Sequence, residues 1–347
     1  MKHTGVQAGL LAAILFGAGT PIAKMLLDDT SPWMLAGLLY IGSGIGLGAL
    51  RLIRRAPRVR LERAAVPYLA GAIVFGGVLG PVLLLVGLTN LPATGASLLL
   101  NAEAVLTAVI AWVVFREHVS IRTAIGMLVI VAGAVVLAVP SGVQLGSILP
   151  SLAVIGACLC WAIDNNLTRR VSHVDATWTA AVKGGVAGPV NLALAVMLGA
   201  SLPAIGNMLA AMTVGFFAYG VSLVLFIVSM RHVGTARAGA YFSIAPFFGA
   251  VLAVALGEQI TLPLVIAAAL MALGVWLHVS ERHSHPHTHE SLTHEHVHTH
   301  DEHHQHDHDE PVPAGVRHSH VHTHEALAHE HPHFPDAHHR HGHGHSG

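Results

Sequence analysis

Apolar residues fill most of this chain in long uninterrupted blocks, and polar positions cluster between them. Ten blocks precede residue 282, at about 5–27, 32–53, 65–88, 92–115, 121–139, 148–168, 176–200, 207–230, 234–256 and 261–280. Each has the roughly 20 residues an α-helix needs to cross a ~30 Å hydrocarbon core. The blocks are continuous rather than alternating, and backbone in lipid must bond within its own helix. The pattern therefore predicts an all-α integral membrane fold of ten transmembrane helices. The first block follows Lys2 closely but lacks a small-residue cleavage site and is succeeded by further blocks, so it reads as a retained span rather than a signal peptide.

Composition narrows the function classes. Of 347 residues, 53% are hydrophobic and 11% charged, too apolar for a soluble domain. Lys plus Arg number 18 against 19 Asp plus Glu, which leaves no global basic field to hold nucleic acid. Cys158 and Cys160 are the two cysteines; they allow neither a disulfide framework nor a CxxC zinc pair and read as small packing residues. Aromatic residues make up 5%, which disfavours a cage for aromatic or quaternary ammonium cargo. No Walker A sequence occurs, so the chain is expected to be neither an enzyme nor an ATP-driven pump. Gly42, Gly44, Gly46 and Gly48 form overlapping small-xxx-small pairs for close helix packing.

The basic residues sort by side. Arg51, Arg54, Arg55, Arg58, Arg60 and Arg63 follow the second block; Arg116 and Arg122, Arg169 and Arg170, and Arg231 and Arg237 follow the fourth, sixth and eighth. The alternate connections 28–32, 89–92, 140–147, 201–207 and 257–261 carry none. Cytoplasmic loops carry the excess of Lys and Arg, which places both termini in the cytoplasm of an inner-membrane protein.

The membrane part also repeats itself. Ala93-Thr94 … Phe115-Arg116-Glu117-His118-Val119-Ser120 … Gly133 aligns with Gly234-Thr235 … Leu256-Gly257-Glu258-Gln259-Ile260-Thr261 … Gly274 at a constant offset of 141. Two halves, 1–140 and 141–281, then hold five spans each, an odd number, so the second half enters the membrane inverted. Such halves serve alternating access around a midplane site.

The string Leu100-Asn101-Ala102-Glu103-Ala104-Val105 … Ala111-Trp112 … Glu117-His118-Val119, then Gly126 and Gly133, resembles the EamA-type repeat of the drug/metabolite transporter superfamily. A second copy carries Ser243-Ile244-Ala245-Pro246 … Gly257-Glu258-Gln259-Ile260. Two positions depart from the family pattern: Ala104 stands where Pro usually follows the mid-helix Glu, and Pro246 has no Glu beside it. The resemblance implies ten helices in two inverted five-helix halves and secondary transport of small metabolites, without naming a cargo.

Charges inside a span cost roughly 2.5 to 3.5 kcal/mol on insertion scales and are functional candidates by default. Glu103 lies about eleven residues from either end of its span, too deep to snorkel, and is the foremost candidate for proton loading or pairing with a cationic cargo. Asn101 precedes it. Span six offers Asp164 and Asn165, and span seven Lys183; an Asp164–Lys183 pair could gate the cytoplasmic mouth, the alternative being Lys183 snorkelling to headgroups.

Of 29 His, 24 follow residue 282. The tail, 282–347, alternates His with Thr, Glu, Pro and Gly, a composition expected to be disordered. It is internally duplicated at an offset of 35, with 283–290 returning as 318–325. Neutral imidazoles are ligands for Ni, Co, Zn or Cu, and the candidate set is His283, His285, His287, His289, His294, His296, His298, His300, His303, His304, His306, His308, His318, His320, His322 and His324. The leading expectation is a secondary transporter that exports a small metabolite, with a metal-binding tail. Divalent metal as cargo is the first alternative, and a membrane metal sensor or buffer the second. No cofactor is required, the lipid bilayer is the surrounding partner, and association as a homodimer is left open.

Overall fold

In the computed structural model the membrane part is described over residues 2–59, 61–115, 121–138, 148–168, 171, 174–233 and 235–280, and the tail over 283–289, 292–298, 318–324 and 327–333. Two compact units result, Met1–Glu281 and Arg282–Gly347.

The first unit is helical throughout its regular structure. Its first half holds α1 (Lys2–Leu26), α2 (Pro32–Ile53), α3 (Val66–Ala72), a π-helical segment (Ile73–Leu79), α4 (Gly80–Asn90), α5 (Ala93–Leu99), α6 (Ala102–Phe115) and α7 (Ile121–Ala138). The second half holds α8 (Leu149–Thr168), α9 (Ala176–Met197), α10 (Ile205–Val214), a second π-helical segment (Gly215–Val221), α11 (Ser222–Val233), α12 (Thr235–Phe242), α13 (Ala245–Ala255) and α14 (Leu262–Val279). Helix starts follow local chemistry. Ser31 Oγ accepts from Met34 N at 3.3 Å ahead of Pro32, and Asp175 Oδ1 accepts from Trp178 N at 2.7 Å at the start of α9.

Among the described residues, 8 helices are long and apolar enough to cross a membrane, two fewer than the ten expected. The difference lies at the end of the unit. The ninth block is split into α12 and α13, and in the tenth the apolar described stretch covers Leu262–Leu277. Hydropathy counts a run of apolar residues and is blind to a break inside it. The break at Ser243–Ile244 has a counterpart at Leu100–Asn101, where Leu100 N and Asn101 N bond back only three residues, to Ser97 O at 3.2 Å and Leu98 O at 3.0 Å. Pro246 sits in the first turn of α13 and Glu103 in the first turn of α6, two residue types suited to a helix start.

Glycines set the helix spacings. A Cβ on Gly42 would lie 2.0 Å from Met212 O, and one on Gly44 2.5 Å from Gly185 N, so α2 meets α10 and α9 at backbone contact. A Cβ on Gly133 would lie 2.8 Å from Met271 Cγ and 3.1 Å from Ala267 O, and one on Gly274 2.6 Å from Gly126 O and Ile130 Cγ1, which joins α7 to α14. Gly42→Ala should therefore lower stability by about 1 to 3 kcal/mol, since a backbone carbonyl cannot yield. Gly48→Ala, with nothing within 4 Å, should stay within about 0.5 kcal/mol of wild type, and thermal unfolding in detergent compares the two.

The tail was expected to lack regular structure. Its described residues contain four strands, β1 (His283–His289), β2 (Leu292–His298), β3 (His318–His324) and β4 (Leu327–His333). β1 pairs antiparallel with β4 and β2 with β3, placing His285 opposite His331 and His294 opposite His322. Period-2 alternation of His with other residues is compatible with a strand, and composition alone does not register it. His300, His303, His304, His306 and His308 lie outside the described residues.

Candidate functional site

The π-helical segment Ile73–Leu79 is the hub of the helical unit. A π turn leaves a carbonyl without its usual i+4 partner. Here Gly76 O accepts from Tyr40 Oη of α2 at 2.6 Å and from Trp161 Nε1 of α8 at 3.0 Å, while Gly77 O accepts from Asn191 Nδ2 of α9 at 3.0 Å. Three helices are thereby pinned to one turn. A Cβ on Gly76 would stand 1.8 Å from Asp164 Oδ2, so the missing side chain is what admits the Asp164 carboxylate.

Beside this hub Lys183 Nζ donates to Asp164 Oδ1 and Oδ2 at 2.7 and 2.6 Å, and Thr168 Oγ1 donates to Oδ1 at 2.8 Å. Both residues are 7% exposed, so Lys183 is turned inward rather than snorkelling to headgroups. The pair is neutral overall, and its charges are spent on each other. Asn165, one position further along α8, is exposed, and its Nδ2 donates to Glu103 Oε1 at 2.7 Å. Glu103 is partly exposed and lies within Coulombic reach of Asp164 and Lys183. Successive residues on a helix point about 100° apart, which explains why Asp164 and Asn165 serve different partners.

Asn101 departs from the expected cavity position. It is 2% exposed, its Nδ2 donating to Leu98 O at 3.0 Å and reaching Met271 Sδ at 3.7 Å. The tight turn ending α5 rotates it into the packing against α14. Cys158 and Cys160 are free and buried, Cys158 Sγ at 3.6 Å from Leu99 O.

Aromatic residues that the sequence pattern passed over pack against one another. Phe16 of α1 lies 6.1 Å from Trp161, 6.0 Å from Tyr219 and 5.2 Å from Phe242, centroid to centroid, and Tyr219 lies 5.5 Å from Tyr40. These rings come from five helical segments, so no local spacing reveals them. Five of the nineteen aromatic residues thus pack against one another at one place.

A cleft of about 690 Å³ opens at the end of the helical unit where Lys24, Thr94, Glu258 and Gln259 lie. Its charges are occupied by helix ends. Glu258 Oε1 and Oε2 accept from Ala93 N and Thr94 N at 2.6 and 2.8 Å, and Lys24 Nζ donates to Leu88 O, and to Thr89 O at 3.3 Å. Glu117, its partner in the sequence repeat, lies outside the described residues. Among the described residues no group of three His, Cys, Asp or Glu could hold a metal ion.

The EamA-like transporter family model matches this chain twice, over residues 3–139 and 148–280. The chain belongs to the EamA-like transporter family. This family member is 28% identical over 292 residues to an uncharacterized transporter of Methanothermobacter thermautotrophicus, covering 77% of this chain and 84% of the relative. It is 22% identical over 287 residues to the uncharacterized transporter YyaM of Bacillus subtilis, covering 79% of this chain and 93% of the relative. A solved crystal structure, 20% identical, shares the fold at a TM-score of 0.61, covering 78% of this chain and 95% of that one. The protein is accordingly a multi-pass membrane protein of a transporter family.

Proposed function

We propose that this EamA-like protein is a secondary active exporter of a small metabolite, working by alternating access of two inverted five-helix halves around Glu103. The observation that carries the reading is the placement of Glu103: a partly exposed carboxylate in the first turn after a helix break, held by Asn165 at 2.7 Å next to a neutralised Asp164–Lys183 pair. Broken helices whose ends meet a charged group are the usual architecture of transporter sites. Inversion is supported by reciprocal packing. Gly133 faces Ala267 and Met271 while Gly274 faces Gly126 and Ile130, and each of these is its counterpart's equivalent at the offset of 141. A reciprocal set of this kind is what a two-fold axis crossing antiparallel α7 and α14 produces. With the Arg-rich loops in the cytoplasm, ten crossings of an inner membrane place both termini there.

Three versions of the protein test this: the full chain, a chain ending at Arg282, and Glu103→Gln. Metabolites in the spent medium and cell-associated Ni, Co, Zn and Cu are measured for each against cells with empty vector. The expected result is one metabolite class enriched in the medium by the first two versions and by neither empty vector nor Glu103→Gln. A Glu103→Gln variant that exports as wild type does overturns the reading.

The tail is proposed to bind divalent transition metal on its imidazoles, and cell-associated metal should fall when it is removed whether or not Glu103 is intact. Metal as cargo is the second reading, favoured by the 24 His after residue 282. It requires a fall in one cell-associated metal that Glu103→Gln abolishes.

A further inference from the structure

Three helices of the membrane unit end in the same way. At the end of α2, Arg55 N donates to Leu52 O and Ala56 N to Arg51 O, both at 3.0 Å. At the end of α9, Gly199 N donates to Val196 O at 3.0 Å and Ala200 N to Ala195 O at 2.9 Å. α13 ends likewise, Gly257 N donating to Val254 O at 3.0 Å and Glu258 N to Ala253 O at 3.1 Å. This ending turns the first residue past the helix into the left-handed region, where glycine is the usual occupant. Gly199, at φ 81°, and Gly257, at φ 106°, follow the rule, and Arg55, at φ 47°, breaks it. α2 and α9 are the second helices of the two stretches that match the family model, so the same turn holds Gly in one and Arg in the other. A side chain is strained there, and strain that a chain keeps is a pointer to use.

The surroundings of Arg55 say what the use is. The stretch 51–63 holds six Arg and one acidic residue, Glu62, whereas 192–204, its equivalent at the offset of 141, holds no charge. Arg51 is spent on structure, donating to Asp175 Oδ1 and, at 2.8 Å, to Pro57 O. Val59 and Leu61 pack with Trp178 on Ala65, Val171 and Val174, so the connection is anchored to the unit by its apolar residues. Arg54, Arg55, Arg58 and Arg63 are left exposed, and among the described residues none of the four forms an ion pair. Leu52 and Ile53, on the last turn of α2 just before them, are 80% and 79% exposed. An apolar helix end followed at once by unpaired cations matches the boundary between acyl chains and phosphates in a bilayer.

We propose that Leu52, Ile53, Arg54, Arg55 and Arg58 form a docking surface for anionic phospholipid of the leaflet in which α2 ends. The two apolar side chains meet the acyl chains, and the guanidinium groups meet the phosphate, whose oxygens suit a planar fork of donors. Glycine at position 55 would keep the turn without strain but would remove the charge between Arg54 and Arg58. A zwitterionic headgroup brings its own ammonium to the same place and gains less. This assignment involves neither cargo nor Glu103, so it stands or falls apart from the transporter reading.

Binding of tritiated phosphatidylglycerol to the full chain in detergent is measured by scintillation proximity. Unlabelled phosphatidylglycerol, phosphatidylcholine and inorganic phosphate serve as competitors. Phosphatidylglycerol should compete about ten-fold or more strongly than phosphatidylcholine, and inorganic phosphate, without acyl chains, should not compete. The triple variant Arg54→Gln, Arg55→Gln, Arg58→Gln should weaken phosphatidylglycerol about ten-fold or more. Arg55→Gly is the sharper test, because it relieves the backbone while removing one charge. It should weaken phosphatidylglycerol roughly three- to five-fold, while its thermal unfolding with phosphatidylcholine present is no lower than that of wild type. Equal competition by phosphatidylcholine, displacement by inorganic phosphate, or unchanged affinity in either variant each overturns the assignment. So does an Arg55→Gly protein that unfolds at lower temperature than wild type, since Arg55 would then be serving the fold.

Discussion

Glu103→Gln is expected to reduce export by roughly ten- to a hundred-fold, corresponding to the ~1.5 to 3 kcal/mol that a hydrogen bond to a charged group contributes. The substitution preserves shape and can still bond Asn165, so packing around the break between α5 and α6 should survive. What disappears is the charge, and with it either the pairing with cargo or the loading of a proton. The initial rate of appearance of the exported metabolite in the medium, normalised to protein in the membrane, reads the effect. Asn165→Ala supplies the contrast, because it removes the partner while leaving the carboxylate. Its loss should be smaller than that of Glu103→Gln, and equal losses would mean that positioning rather than charge is what Glu103 provides.

Lys183→Met should be the most destabilising substitution in the helical unit. It leaves the Asp164 carboxylate, 7% exposed and enclosed by the π-helical segment, without its ammonium, and an uncompensated buried charge costs about 3 to 5 kcal/mol. The double variant Lys183→Met with Asp164→Asn removes both charges. It should recover most of the stability, since a neutral buried pair of similar volume is often no worse than the ion pair it replaces. Thermal unfolding of the purified variants gives the comparison directly, and a double variant as unstable as the single one would show that the pair is not coupled. Export by the double variant separates two roles. A pair that only holds α8 to α9 leaves rates near wild type once stability returns, whereas a pair that must part during gating leaves the rate low.

Much of the architecture could be read along the chain. Crossing lipid imposes length and continuity on each span, so the apolar blocks locate the helices to within a few residues, as with block 176–200 and α9 at Ala176–Met197. The same requirement makes Glu103 conspicuous, because a deep carboxylate in an apolar run is costly and visible in one dimension. Repeats are visible for the same reason: Glu117 and Glu258 sit at equal places in two similar strings. The offset does not say what the second of them does. Glu258 caps the N-terminus of α5 from 165 residues away, a contact that only the folded chain creates.

Tertiary structure decided everything that depends on which helices become neighbours. Asp164 and Asn165 are adjacent in sequence and alike in polarity, yet one faces Lys183 and the other Glu103, because a helix turns about 100° per residue and different helices flank its sides. Asn101 looked equivalent to Asn165 and is instead buried under Met271, the outcome of a tight turn that hydropathy cannot resolve. A composition of 5% aromatic residues reads as dilute, whereas packing gathers Phe16, Tyr40, Trp161, Tyr219 and Phe242 from separate helical segments into one cluster. Sequence by itself determined that this protein is a membrane-embedded helical protein and made the deep carboxylate Glu103 conspicuous, because solvation by lipid acts on each segment independently. The neighbours of that carboxylate were decided only by folding, because contacts between helices depend on their relative rotation and close approach, which no single segment encodes.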